Sequence, residues 1–247
     1  MLDLKLIKAI SLDLDDTLWP VWPAIERAEK ALDGWLSQYA PMTAAMFSSP
    51  AARLEIRAHV VSTRPELKHN MSEVRREAIR IALSRSSEDP LLAEEAFDVF
   101  FAERNRVTLF EDALPALEFL SARFPMVALS NGNADIERIG LKRYFQASIS
   151  AHAFGVGKPD PRIFYAAAGS VDVEPGSVLH IGDDARLDVI GALNAGMQTV
   201  WLNRTGSAWE HGQPPHLTVC SLTELCDLIA VPAAHGQLPE GVPLPLA

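Results

Sequence analysis

From residue 106 onward the chain alternates short apolar runs with stretches at helical spacing, and this rhythm constrains its fold more than any other feature. Apolar runs at 125–130, 147–150, 178–182 and 199–202 have the length of strands, and helical stretches follow the first three near 134–142, 161–168 and 185–195. An edge strand near 217–220 precedes a last helix near 222–230. Such alternation requires βαβ units, in which successive strands lie parallel and the crossover helices cover the sheet faces. The run at 5–14 ends abruptly in acids and reads as one more buried strand. The expected class is α/β, with a Rossmann-like doubly wound parallel sheet.

Between about residue 22 and residue 105 the pattern changes. Ile25, Ala28, Leu32, Trp35, Leu36 and Tyr39 recur at helical spacing, as do Val74, Ala78, Ile79 and Ala82, and 51–61 and 91–101 read as helical too. An all-helical cap domain at 21–105 is therefore expected inside a core of 1–20 and 106–231. Residues 232–247, rich in Pro and Gly, are expected to form a loosely held tail. A hydrophobic content of 48% suits a substantial core, and the net charge of −10 disfavours nucleic acid or an anionic membrane as partner. A small anionic ligand would instead need local cations. The N-terminus lacks the unbroken apolar stretch of a secretory signal, and no run approaches the roughly 18 residues of a membrane span. Two cysteines, Cys220 and Cys226, make no disulfide framework, which suits a cytoplasmic protein, monomeric or homodimeric.

In open α/β sheets ligands bind beyond the strand C-terminal ends, and four segments there carry chemistry. Asp13-Leu14-Asp15-Asp16-Thr17 ends the first strand, where a period of two starts Asp13 and Asp15 on one side. Carboxylates crowded there repel one another, and a divalent cation with hard oxygen ligands, such as Mg²⁺, relieves that cost. The plainer reading is a solvated acidic turn. Ser130-Asn131-Gly132-Asn133 offers a hydroxyl and main-chain N–H groups suited to a phosphate oxygen, although these are also ordinary turn residues. In Gly157-Lys158-Pro159-Asp160-Pro161, Pro159 disfavours helical geometry at Lys158, freeing its ammonium to reach across the sheet edge. Asp160 and Pro161 read as an N-cap and first helical residue, and Gly169 and Gly196 as helix ends. His180-Ile181-Gly182-Asp183-Asp184 ends the strong strand at 178–182. Asp183 would complete an oxygen site with Asp13 and the Asp15 carbonyl. Asp184 reads better as a helix cap, Asp188 as a partner for Lys158 or metal-bound water, and His180 as a strand residue beside the site. His211, His216, Cys220 and Cys226 lack the tight Cys-x-x-Cys pairs of a zinc centre. Trp19 and Trp22 either border a substrate entrance or pack between insertion and core.

Taken in order, Leu-Asp-Leu-Asp-Asp-Thr, Leu-Ser-Asn-Gly-Asn, Gly-Lys-Pro-Asp-Pro and His-Ile-Gly-Asp-Asp-Ala-Arg-Leu-Asp resemble the four motifs of the haloacid-dehalogenase superfamily. The resemblance covers roughly 5–20 and 107–230, and the insertion resembles the cap of subfamily-I members by position and helix content. It implies a phosphatase acting on a small-molecule phosphate ester. Asp13 would be the nucleophile and Asp15 the acid/base; Ser130, Asn131 and Lys158 would hold phosphate oxygens. Mg²⁺ would sit on Asp13, Asp15 and Asp183, with Thr17, Asp184 and Asp188 in support. The second half, through Ser-Asn-Gly-Asn-Ala, Gly-Leu…Tyr-Phe and Ala-Gly-Met-Gln-Thr-Val-Trp, also resembles bacterial flavin-pathway phosphatases, implying FMN or the phosphoribitylaminouracil precursor of riboflavin as substrate. A 2-haloacid dehalogenase would use Asp13 on carbon without metal, and that branch lacks the acid found here at Asp15. A phosphomutase would keep every residue named. A binding protein on an inactive scaffold would be expected to have lost Asp13 or Asp183.

Overall fold

Short strands, most of them buried on both faces, place the sheet at the centre of the molecule. The computed structural model describes residues 2–231, so the tail expected over 232–247 lies outside it. β1 (Ala9–Leu12), β2 (Met126–Ser130), β3 (Ala147–Ser150), β4 (Val178–Gly182), β5 (Gln198–Leu202) and β6 (Leu217–Val219) form one sheet in the order β3-β2-β1-β4-β5-β6. Every neighbouring pair is parallel. The chain steps outward from β1 on one side and resumes on the other at β4, which opens a crevice at the topological switch point between them.

Helices α1 (Val21–Tyr39), α2 (Pro41–Phe47), α3 (Pro50–Thr63), α4 (Met71–Arg85) and α5 (Leu92–Arg104) all lie between β1 and β2 in sequence. They are followed by α6 (Ala113–Ser121), α7 (Ala151–Phe154), α8 (Pro161–Gly169), α9 (Gly191–Asn194) and α10 (Leu222–Ala230). Strand side chains alternate between two apolar clusters, as the pleat demands. Ile10, Leu12, Met126, Ala128, Leu179 and Ile181 join one, with α6 and α10. Ala9, Val127, Leu129 and Val178 join the other, with α8 and α9. A third cluster, including Leu32, Leu36, Ile56, Val60, Ile79 and Phe100, is drawn only from α1–α5 and their connections. Among the described residues no helix is long and apolar enough to cross a membrane.

Three expectations need correction. The strand expected over 5–14 is confined to Ala9–Leu12; residues 4–6 form a turn, with Leu6 52% exposed. No α-helix forms over 134–142, and only a short 3₁₀ turn, Lys142–Tyr144, starts at its end. The Asp135 side chain accepts from the N–H groups of Glu137 and Arg138, and Gly140, at φ +85°, closes the segment after a single turn. The helix expected over 185–195 is a π-helical stretch, Ala185–Ile190, leading into α9. α6 has no expected counterpart: Pro115 breaks its apolar spacing, but lies in the first turn, where no hydrogen bond is lost.

Candidate active site

The loops leaving β1, β2 and β4, with the segment between α7 and α8, converge beneath α1–α5 around a cavity of about 580 Å³. Asp13 follows β1 directly and is buried. Its Oδ1 accepts a hydrogen bond from Lys158 Nζ, and its Oδ2 lies 3.4 Å from Thr17 Oγ1, which also donates to Asp183 Oδ1 at 3.0 Å. Lys158 Nζ donates as well to Asp188 Oδ1 at 2.5 Å. That oxygen lies 3.1 Å from His180 Nε2, whose Nδ1 is 2.7 Å from Ser11 Oγ. A buried polar chain thus runs from Ser11 through His180, Asp188 and Lys158 to Asp13. His180 stands in β4, as expected, and is linked to the site through Asp188.

Local structure explains how these groups reach one another. Asp16 adopts φ +58°, which turns the chain sharply after Asp15, and its Oδ1 accepts from Val21 N–H at the start of α1. The π-helical stretch begins where Asp184 Oδ1 accepts from the N–H groups of Arg186 and Leu187. Its wider turn, with Val189 N–H donating to the Asp184 carbonyl, carries Asp188 back over β4, where Asp188 Oδ2 accepts from Asp184 N–H at 3.0 Å. Only glycine leaves room beneath it: a Cβ on Gly182 would stand 2.3 Å from Asp188 Cγ. Gly182→Ala is therefore expected to displace Asp188, loosen Lys158 and destabilise the fold by about 1–3 kcal/mol, read as a lower denaturant midpoint. An unchanged midpoint would contradict this packing.

Ser130 ends β2, and its Oγ accepts from Gly132 N–H at 2.9 Å, which leaves the hydroxyl proton free for a ligand. The Asn131 side chain bridges to the segment that carries Lys158. The amide donates to the Lys158 carbonyl at 2.8 Å and accepts from Lys158 N–H at 2.7 Å, so it fixes the lysine-bearing segment. The two tryptophans divide the expected roles. Trp19 is fully buried and donates from Nε1 to Asp15 Oδ1 at 2.9 Å, whereas Trp22 is 69% exposed and lines the cavity. Arg104, which sequence reading missed, donates from Nη2 to both oxygens of Asp15 at 2.7 Å.

Carboxylate oxygens of Asp13, Asp183 and Asp188 lie within 4.8 Å of one another. Burial pushes the Asp13 carboxyl well above its ordinary value; Lys158 draws it down, while Asp188 and Asp183 add to the rise. Burial, with the neighbouring charge of Asp188, pushes Asp183 up to about 7. Asp188 behaves oppositely: burial alone would raise it, but Lys158 and the hydrogen bond from His180 hold it at about 2. Lys158 resists its own burial and stays above its usual value because two carboxylates face it. Asp188 is taken up by Lys158, His180 and the Asp184 N–H, whereas Asp183 accepts a side-chain bond from Thr17 alone among the described residues and stands beside Asp13. Three carboxylates face one ammonium here, and the two negative charges left over on an all-oxygen donor set fit a hard divalent cation. The side chain of Asp15 stands apart from the cluster, held by Arg104 and Trp19. His211 stacks edge-on against Trp209 and His216 bonds Thr199, so the zinc grouping set aside above has other partners.

Relatives share this arrangement of chain. The YigB protein of Escherichia coli K12, named a 5-amino-6-(5-phospho-D-ribitylamino)uracil phosphatase, is 32% identical over 231 residues, which span 90% of this chain and 96% of YigB. Phosphoserine phosphatase of Thermus thermophilus is 32% identical over 157 residues, or 61% of this chain and 63% of the enzyme. The crystal structure of a 2-haloacid dehalogenase from Pseudomonas syringae pv. Tomato DC3000 matches with a TM-score of 0.87 at 37% identity, over 91% and 98% of the two chains. A family model for haloacid dehalogenase-like hydrolases matches residues 7–196, from the strand that delivers Asp13 to the glycine that ends α9. The protein belongs to the haloacid dehalogenase-like hydrolases.

Proposed function

We propose that the protein is a Mg²⁺-dependent phosphomonoester hydrolase that works through an aspartyl-phosphate on Asp13. The observation that carries this reading is the meeting of Asp13, Lys158 and Asp183 at one point of the cavity, with Asp15 close by on the same loop. A carboxylate cannot approach a phosphate dianion until positive charge offsets the repulsion. Lys158 supplies one such charge, and Ser130 has a hydroxyl proton to give a phosphate oxygen. Asp13 and Asp183, with the Asp15 carbonyl, would hold Mg²⁺, which when bound supplies charge neutralisation and alignment of the ester. Asp13 attacks phosphorus while Asp15 gives its proton to the leaving oxygen. Asp15 then takes a proton from the water that attacks the phosphorus of the aspartyl-phosphate, and Asp13 is released as carboxylate.

A dehalogenase reading is prompted by the names of some relatives, including the Pseudomonas syringae protein. Two observations favour the phosphatase. A halide leaves without a proton, so dehalogenation gives Asp15 no work. Attack on carbon also gives no reason to gather Asp13 and Asp183 as adjacent, electrostatically strained carboxylates.

For the substrate, we infer a phosphate ester whose alcohol carries a planar ring, as in FMN or the phosphorylated ribitylaminouracil named for YigB. The helical insertion, which we take as a cap over 21–105, turns Trp22, Ile25, Val61, Met71, Val74 and Phe100 toward the cavity, and Arg57, Lys68 and Arg75 beside them. This wall suits an apolar ring with electron-rich substituents better than a small hydrated sugar. The test compares kcat/KM for FMN, the ribitylaminouracil phosphate, phosphoserine and hexose phosphates, with 2-chloropropionate as the dehalogenase control. The ring-bearing esters are expected to exceed the others at least about tenfold, roughly the effect of 1.4 kcal/mol of added contact. Halide release without phosphate release would overturn the phosphatase; equal values for all esters would remove the ring preference alone.

A further inference from the structure

Arg104 closes α5, at the end of the helical insertion, yet its side chain is only 1% exposed and reaches into the catalytic loop of the core. Its Nη2 donates to both Oδ1 and Oδ2 of Asp15. Its Nε and Nη1 are buried without a hydrogen-bond partner among the described residues. The pair lies against bare main chain, because a Cβ on Gly132 would fall 2.4 Å from Asp15 Oδ2 and 3.5 Å from Arg104 Nη2.

Stability does not account for this arginine. A buried ion pair commonly does no better than well-packed apolar side chains, and two orphaned N–H groups add a further desolvation cost. What the arrangement does achieve is orientation. Asp15 Oδ1 accepts from both Trp19 Nε1 and Arg104 Nη2, while Oδ2 accepts from Arg104 alone. The two donors fix the plane of the carboxyl group and leave Oδ2 with the freer lone pair for a proton.

We propose that Arg104 is a positioning residue for the phosphate-ester reaction, holding the acid/base group Asp15 in line with the leaving oxygen while the helical insertion is docked. The proposal rests on the acid/base reading of Asp15. As the phosphorus–oxygen ester bond breaks, its electron pair stays on the leaving oxygen, the Asp15 proton moves to that oxygen, and an Asp13 oxygen forms the new bond to phosphorus. The charge left on Asp15 then faces the Arg104 guanidinium. When water attacks, its proton returns to Asp15, and the electron pair of the Asp13–phosphorus bond returns to Asp13. Arg104 acts on these steps only through Asp15.

A leaving-group comparison separates this role from a structural one. A good leaving group such as p-nitrophenolate needs little protonation, whereas an alkoxide needs a great deal. In Arg104→Met, kcat/KM, which reports the steps up to departure of the leaving group, is expected to fall on the order of 10²-fold for an alkyl ester such as FMN and by no more than about tenfold for p-nitrophenyl phosphate. Arg104→Lys should recover part of the alkyl-ester rate, and Arg104→Gln carries the same comparison if the methionine variant does not fold. Asp15→Asn should show the same split, more strongly. If both esters fall equally in the Arg104 variants, or neither falls, while Asp15→Asn keeps the split, the positioning role is wrong. If Asp15→Asn shows no split, the acid/base reading beneath it fails.

Discussion

Asp13→Asn is expected to lose phosphate-ester hydrolysis down to background, a drop on the order of 10⁵–10⁶ in kcat, the scale seen when a covalent nucleophile is removed. The asparagine amide has nearly the shape of the carboxylate but cannot form the acyl phosphate, and it offers the cation a weaker oxygen. Stability should move the other way. Burial and the charges of Asp188 and Asp183 raise the Asp13 carboxyl well above its ordinary value, so its ionised form costs folding free energy at neutral pH. A neutral amide removes that cost, and the variant should melt at or above the temperature of the unsubstituted protein in metal-free buffer. Phosphate release and thermal unfolding on the same preparation check both halves. Substantial activity in the variant would end the covalent proposal.

Removing the metal with EDTA is expected to be nearly as severe for turnover, and its effect on stability should depend on pH. Asp183 is pushed up to about 7 in the fold, against an ordinary value of 3.8. Between those values the folded chain binds more protons than the unfolded one, so stability without metal declines as pH rises through that window. A cation bound to the ionised carboxylates offsets the loss, and it competes with protons for them. Added Mg²⁺ should therefore raise the melting temperature clearly at pH 8 and little at pH 5. At a concentration of 100 times Kd the stabilisation is about 2.7 kcal/mol, or about 5–10 °C for a chain of this size. Asp183→Asn should abolish the difference between the two pH values. A Mg²⁺ effect equal at both, or equal in the variant, would count against a site on Asp13 and Asp183.

Asp13, Lys158 and Asp183 were legible in the sequence because each stands at a place the topology makes special, just beyond a strand or ahead of a capped helix. Strand ends in a parallel sheet are neighbours in space, so four local readings became one site. Arg104 carried no such mark. It meets Asp15 across 89 positions, and an arginine in the last turn of a helix is what the helix dipole favours anyway. The partners of His180 were hidden for a similar reason, since one polar residue in a buried strand says nothing of what it bonds. The π-helical stretch over 185–190 has the same apolar spacing as an α-helix, and only the bonds around Asp184 and Asp188 distinguish them. The missing helix over 134–142 turned on Asp135 and Gly140, whose local bonds outcompeted a weak apolar rhythm.

The link from Arg104 to Asp15 also bears on how such enzymes diversify. If new specificity arises by exchanging the helical insertion for one from a relative, most of the reactive groups travel with the recipient, but the guanidinium arrives with the donor. On the proposed reading, a graft lacking an equivalent cation at its closing helix would keep Asp13, Lys158 and Asp183 in place, and would still cleave activated esters while stalling on alkyl ones. Recombinants cut at the two junctions should sort by that single position rather than by overall identity to either parent.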